Sequence, residues 1–155
     1  MRTVLLIFAS IALLGTAFGQ QRADIPFQVI DRGANSGEAE QGLKVLRTER
    51  AFEEFLKDRG QDQVSRLSKQ VDWNTEQVVV VFGGQRPSAG FGVSIKRISS
   101  VDIQRLQVEA SITKPSAGQL AAQVLTTPYV MIKMQRQVAA IKVKFLPEYV
   151  RHRPS

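Results

Sequence analysis

The residues that could do chemistry in this chain are few. There is no cysteine, so no thiolate nucleophile and no thiolate metal site. The single histidine, His152, lies in a basic C-terminal stretch. A Ser-His-Asp relay would need it folded back against a serine and an aspartate, and a lone tail histidine is ordinarily solvated. Asp24, Asp31, Glu38 and Glu40 place carboxylates in one N-terminal region without the spacing of a calcium loop. Glu53 and Glu54 fall on the solvent side of an amphipathic segment. "FGGQRPSAGFG" (82–92) is glycine-rich, but it lacks the Gly-Lys-Ser/Thr that would cradle a phosphate, and it leads into a strand pattern. These residues argue against an enzyme, and they imply no cofactor and no metal.

What remains is a recognition surface. "RPSAGF" (86–91) and "KPSAG" (114–118) share a basic residue followed by Pro-Ser-Ala-Gly. Their flanks differ, "FGVSI" after the first and "QLAAQ" after the second, so this is a turn used twice. Proline presets φ early in such a turn, and glycine supplies the positive φ at its end. The candidate partner-binding residues are Arg86, Pro87, Ser88, Ala89, Gly90 and Phe91, with Lys114, Pro115, Ser116 and Gly118. Pro128 and Tyr129 of "TTPY" join them. Phe91 is in phase with Val93 and Ile95, which is also the pattern of a core residue. Tyr129 suits either a packed ring or an exposed hydroxyl.

Periodicity supplies the elements that position these loops. "FQVIDRG" (27–33) and "LKVLRT" (43–48) read as short strands around the loop "GANSGEAEQG" (33–42). Thr48 is an N-cap, and Phe52, Phe55 and Leu56 make one apolar stripe, which predicts a helix over about 49–59. Residues 61–70 read as a weak helix or a loop. "QVVVVFGG" (77–84) is a continuous β-branched run, the mark of a central strand covered on both faces. Four more strands follow at 91–98, 105–113, 129–134 and 140–146. In the last, Lys142 and Lys144 face outward and guard an edge. Trp73 reads as a lid on the core. The fold class is therefore α+β: mainly antiparallel sheet, a meander closing to a small barrel or a sandwich, with one covering helix. Strand parity puts loops 84–90, 114–118 and 126–129 at the same end of the sheet.

The chain has 155 residues, enough for one domain with a real core. "MRTVLLIFASIALLGTAFGQ" carries Arg2, an apolar run from Val4 to Leu14, and small residues before Gly19. It reads as a signal peptide (1–19), with a retained anchor as the alternative. A leader (20–26), a single domain (27–146) and a basic tail (147–155) complete the division. Export together with the lack of cysteine points to a bacterial periplasm or exterior. No later apolar run spans a bilayer. The formal net charge is +7, but the basic residues are scattered and aromatics are scarce, which does not suit nucleic acid. It would suit an anionic envelope polymer.

The stretch "VDWNTEQVVVVFGGQRPSAGFGVSIKRI", an alternating strand, and then "TTPYVMIKM" resembles the C-terminal domain of the protease complex subunit PrcB family. That family's turn pattern falls on Gly84, Arg86, Pro87, Ser88, Ala89, Gly90 and Phe91. Ala89 stands where glycine is common, and Phe91 where tyrosine is. The upstream segment through the 49–59 helix looks like the family's leading part, so the resemblance covers residues 27–146. It implies a non-catalytic exported protein that associates with a protease and affects its assembly or stability. "RPSAGF" is also similar, more weakly, to the Asn-Pro-Thr-Thr-Gly-Tyr loop of chagasin-type cysteine protease inhibitors. That loop blocks a cleft from one end of a β-sandwich. Here Arg86 replaces the asparagine, and clear counterparts of the other inhibitory loops are missing. Three readings follow: a partner of a protease or envelope complex, a direct protease inhibitor, and a polymer binder.

Overall fold

The computed structural model describes residues 23–58, 60–115 and 121–150. Residues 1–19, read above as a signal peptide, and Ser116, Gly118 and His152 lie outside the described residues. The elements in chain order are β1 (Gln28–Gly33), β2 (Gln41–Leu46), α1 (Glu49–Phe55), α2 (Gln61–Ser68), β3 (Glu76–Gly83), β4 (Gly92–Asp102), β5 (Arg105–Lys114), β6 (Tyr129–Gln135) and β7 (Ala140–Val150). The fold is α+β and mainly strand. The strands form two sheets, ordered β1-β6-β3-β2 and β4-β5-β7.

The valine run of β3 explains the layering. Val78 and Val80 face one way, into a core with Leu46, Phe52, Leu56, Val64, Leu67 and Met131. Val79 and Val81 face the other way, into a core with Val93, Ile98, Leu106, Val108 and Ile112 of the second sheet. All four valines are fully buried. The molecule is thus three layers deep: helices, four strands, three strands. The two sheets pack as a sandwich, and no barrel closes.

The helical layer follows its local signals. Thr48 caps α1, its Oγ1 accepting from the Ala51 N–H at 3.2 Å. Phe52 sinks fully into the core and meets Trp73 at 5.3 Å between ring centroids. Trp73 covers this core as a lid, and its indole N–H donates to Ser68 Oγ at 3.1 Å. Segment 61–68 is a helix because Val64, Leu67 and Ser68 fall on one buried face, which offsets a weak apolar content.

Three connections cross between the sheets, the one from β5 to β6 returning the chain to the first sheet and two others leaving it. Loop 84–91 carries the chain out of the first sheet and into the second, and residues 136–139 do the same after β6. As a result β7 pairs with β5 in parallel, Arg105 opposite Ala140 and Glu109 opposite Lys144. β7 also runs on past Leu146 through Val150. At the other end of the chain, Asp24 bridges Ser99 on the edge of β4, with the Ile25 N–H bonded to the Ile98 carbonyl at 2.8 Å. The chain turns at Pro26 and enters the other sheet as β1. Its first described residues therefore staple the two sheets together.

Candidate functional site

At one end of the sheet, loop 84–91, the described residues Lys114 and Pro115, and residues 126–129 meet as a rim. β3 and β5 both run toward it, and β6 runs away from it. The first Pro-Ser-Ala-Gly turn is bounded by Gly84 and Gly90, with φ of +70° and +88°. Glycine is required at Gly90 for a second reason: a Cβ there would sit 3.0 Å from Pro115 Cγ. The two copies of the turn therefore touch.

The turn is laced to the segment before β6. The Arg86 N–H donates to the Thr126 carbonyl at 2.8 Å, and the Thr126 N–H returns to the Arg86 carbonyl at 3.0 Å. The Ala89 N–H donates to the Ala122 carbonyl at 2.9 Å. Thr126 Oγ1 donates to the Ser88 carbonyl at 3.0 Å. The loop after β1 joins from the other side. Thr127 Oγ1 accepts from the N–H groups of Ser36 and Gly37, at 2.9 and 3.0 Å.

The charged centre of the rim is Glu148. Arg86 Nη1 donates to its Oε1 at 2.8 Å, and Lys114 Nζ pairs with its Oε2 at 2.7 Å. The Lys114 hydrogen bond, assisted by Arg86, holds the Glu148 carboxyl below the usual carboxylate range. Arg86 is further spent on the Gly83 carbonyl, with Nε at 3.1 Å and Nη2 at 2.7 Å. Its guanidinium lies 5.9 Å from the centre of the Phe91 ring. Arg86 thus organises the rim more than it presents a free charge.

The candidate residues divide accordingly. Arg86, Pro87, Ser88, Ala89, Gly90, Phe91, Lys114 and Pro115 come together, and Pro87, Gly90 and Lys114 are exposed. Phe91 is half-buried against the inter-sheet core, as its phase predicts. Pro128 is buried, and its carbonyl accepts from the Gly83 N–H at 2.7 Å. Tyr129 leaves the rim surface altogether. Its ring packs in the helix-side core, and its hydroxyl donates to Asp31 Oδ2 at 2.7 Å. A residue that opens β6 must point to one face or the other, and Tyr129 shares its face with Met131.

Sequence reasoning missed three rim residues. Val124 and Leu125 are 52% and 63% exposed, side by side next to Thr126. They sit in a stretch with no periodicity, and adjacent exposed aliphatics in a loop were the signal available. Glu148 was hidden in what read as a tail. Among the described residues, no three His, Asp or Glu side chains converge to hold a metal. A groove of about 620 Å3 lies beside α1 and β2, where Lys57 is tied to Glu54 at 3.0 Å.

Residues 77–135 match the family model described as PrcB C-terminal. The resemblance read from the turn and its flanking strands is therefore shown over β3, loop 84–91, β4, β5 and β6. No curated protein and no solved structure matches the chain.

Proposed function

We propose that this chain is an exported, non-catalytic protein-binding domain that serves as an accessory subunit of a protease complex. Its partner would dock on the rim made by Pro87, Gly90, Lys114, Val124 and Leu125. One observation carries the reading: the segment that matches the PrcB C-terminal family, residues 77–135, contains β3 to β6 save the first residue of β3, and the sequence of all three loops 84–91, 114–118 and 126–129. An aliphatic pair beside an exposed lysine, on a backbone held by reciprocal hydrogen bonds, is a preorganised contact surface. Loops fixed on a rigid sheet are where binding tends to reside.

The test is capture of a protease. Immobilised chain should retain protease activity from an envelope fraction. The double variant Val124→Asp, Leu125→Asp should lose it at least tenfold, while an exposed change elsewhere, Gln70→Ala, should not. Equal capture by the double variant, or no protease activity retained by any form, would sink the proposal. Inhibition of the captured enzyme would point instead to the inhibitor reading. Against that reading, the Arg86–Phe91 turn is fastened down along residues 121–127 and is not free to enter a cleft as a wedge.

A further inference from the structure

Among the described residues, the most exposed aliphatic side chains lie at the end of the molecule opposite the rim. Ile103 is 95% exposed and Val138 is 102% exposed, with Val101 beside them at 39%. Ile103 lies in the β4–β5 turn and Val138 in the β6–β7 connection. The parallel pairing of β5 and β7 sets these two connections side by side: the Ala140 N–H donates to the Gln104 carbonyl at 2.8 Å, and Arg105 lies opposite Ala140. Neither side chain belongs to either core. Both protrude fully, so together they form a convex tip and not a flat patch.

Two further observations bear on what covers this tip. Its surroundings are basic. Arg105 and Lys142 are exposed around it, and Asp102 is salt-bridged to Arg105 at 2.6 Å, whereas the nearby Arg136 is spent on the Arg47, Trp73 and Glu76 carbonyls. The chain also enters the fold here. Residues 23–25 run antiparallel to β4, with Ile25 bonded to Ile98 and Ala23 to Ser100. Ala23, the first described residue, therefore lies toward the Val101–Asp102 side. Upstream in the sequence lies the apolar run Val4–Leu14.

The geometry points to a lipid surface as the partner of this tip: Ile103 and Val138 insert among the acyl chains of an anionic bilayer, and Arg105 and Lys142 meet its headgroups. A protein partner would need a patch of roughly 800 Å2 on each side, which two protruding side chains do not offer. A soft interface can accept them singly, and basic side chains beside aliphatic ones are the composition of interfacial binding. No helix among the described residues is long and apolar enough to cross a membrane, so the contact is peripheral.

The test uses a chain beginning at Gln20. That chain keeps every residue of both cores, which lie between Ile25 and Phe145. It should co-sediment with phosphatidylcholine vesicles containing phosphatidylglycerol, and far less with phosphatidylcholine alone. Ile103→Asp and Val138→Asp should each weaken binding about tenfold, the scale of withholding one aliphatic side chain from hydrocarbon. Lys142→Glu should weaken it further at low salt, and Leu125→Asp on the rim should leave it unchanged. Unchanged melting temperatures would show that the tip variants fold. Absence of vesicle binding at low salt overturns the inference, as does binding undiminished in the double tip variant. Tip-dependent self-association without vesicle binding overturns it equally.

Discussion

Glu148 shows how one side chain can set the chemistry of a whole rim. Two cations share its carboxylate, and each comes from a different copy of the Pro-Ser-Ala-Gly turn. Its carboxyl titrates below the ordinary glutamate value of 4.5. A group with a depressed folded pKa adds stability above its unfolded value and loses it as the pH falls through the folded one. The rim should therefore loosen in acid, below the ordinary glutamate range, and Glu148→Gln should flatten that part of the stability curve. Amide exchange at Arg86 and Thr126, followed from neutral pH downward, would check this, and an identical acid profile in the variant would refute it. Gly84 makes a second prediction at this scale. Its φ of +70° and a Cβ position 3.1 Å from the Gln41 nitrogen leave little room for any side chain. Gly84→Ala should cost about 1–3 kcal/mol, read as a lower denaturation midpoint.

At the scale of elements, β3 carries the most weight and one anomaly. Gln77 is fully buried on the face of Val79 and Val81, and neither of its amide atoms has a hydrogen-bond partner. An unsatisfied buried amide costs roughly 1–3 kcal/mol. Gln77→Leu should therefore raise the melting temperature, and a clear fall would show that the amide is satisfied. On the opposite face, Phe52→Ala should cost about 3–5 kcal/mol by emptying the contact between α1, β3 and Trp73, as thermal or urea unfolding would measure.

The elements were largely legible in the sequence because their period fixes which face each residue takes. The valine run, the Thr48 cap and the alternation of β5 all reappear as read. The pairing of strands was not legible. Alternation specifies a face but not a neighbour, so nothing in "GGQRPSAGFG" distinguishes a hairpin from a crossing between sheets. The parity argument for the rim survived because crossing to another sheet still reverses strand direction. Tyr129 illustrates the limit: a strand-opening residue can face core or solvent, and only the position of Asp31 and Gly33 decides it. Val124, Leu125 and Glu148 lay outside any periodic segment, where no pattern could mark them.

The whole molecule has two ends of different character, separated by the length of β5. Ten residues of strand place them roughly 30 Å apart. The rim is fastened, mixed in charge, and holds the adjacent pair Val124 and Leu125. The opposite tip offers Ile103 and Val138 amid basic side chains. The two ends should behave independently: rim variants should keep vesicle binding, and tip variants should keep protease capture. Both assays run on the rim double variant and on the Ile103→Asp and Val138→Asp variants would show this, and loss of both activities in any one folded variant would contradict it.

The staple at Pro26 bears on how such a two-ended molecule would carry load. A pull applied at Ala23, directed away from the rim, would run along the axis of the strands. The bonds from residues 23–25 to β4, and those from β1 to β6, then lie across the pulling direction and are strained together. They do not open one at a time like a zipper. A partner tugging on the rim would meet resistance from both sheets at once, because the first ten described residues are sewn into each. Such an arrangement resists tension between the two ends better than one whose first strand could peel away alone.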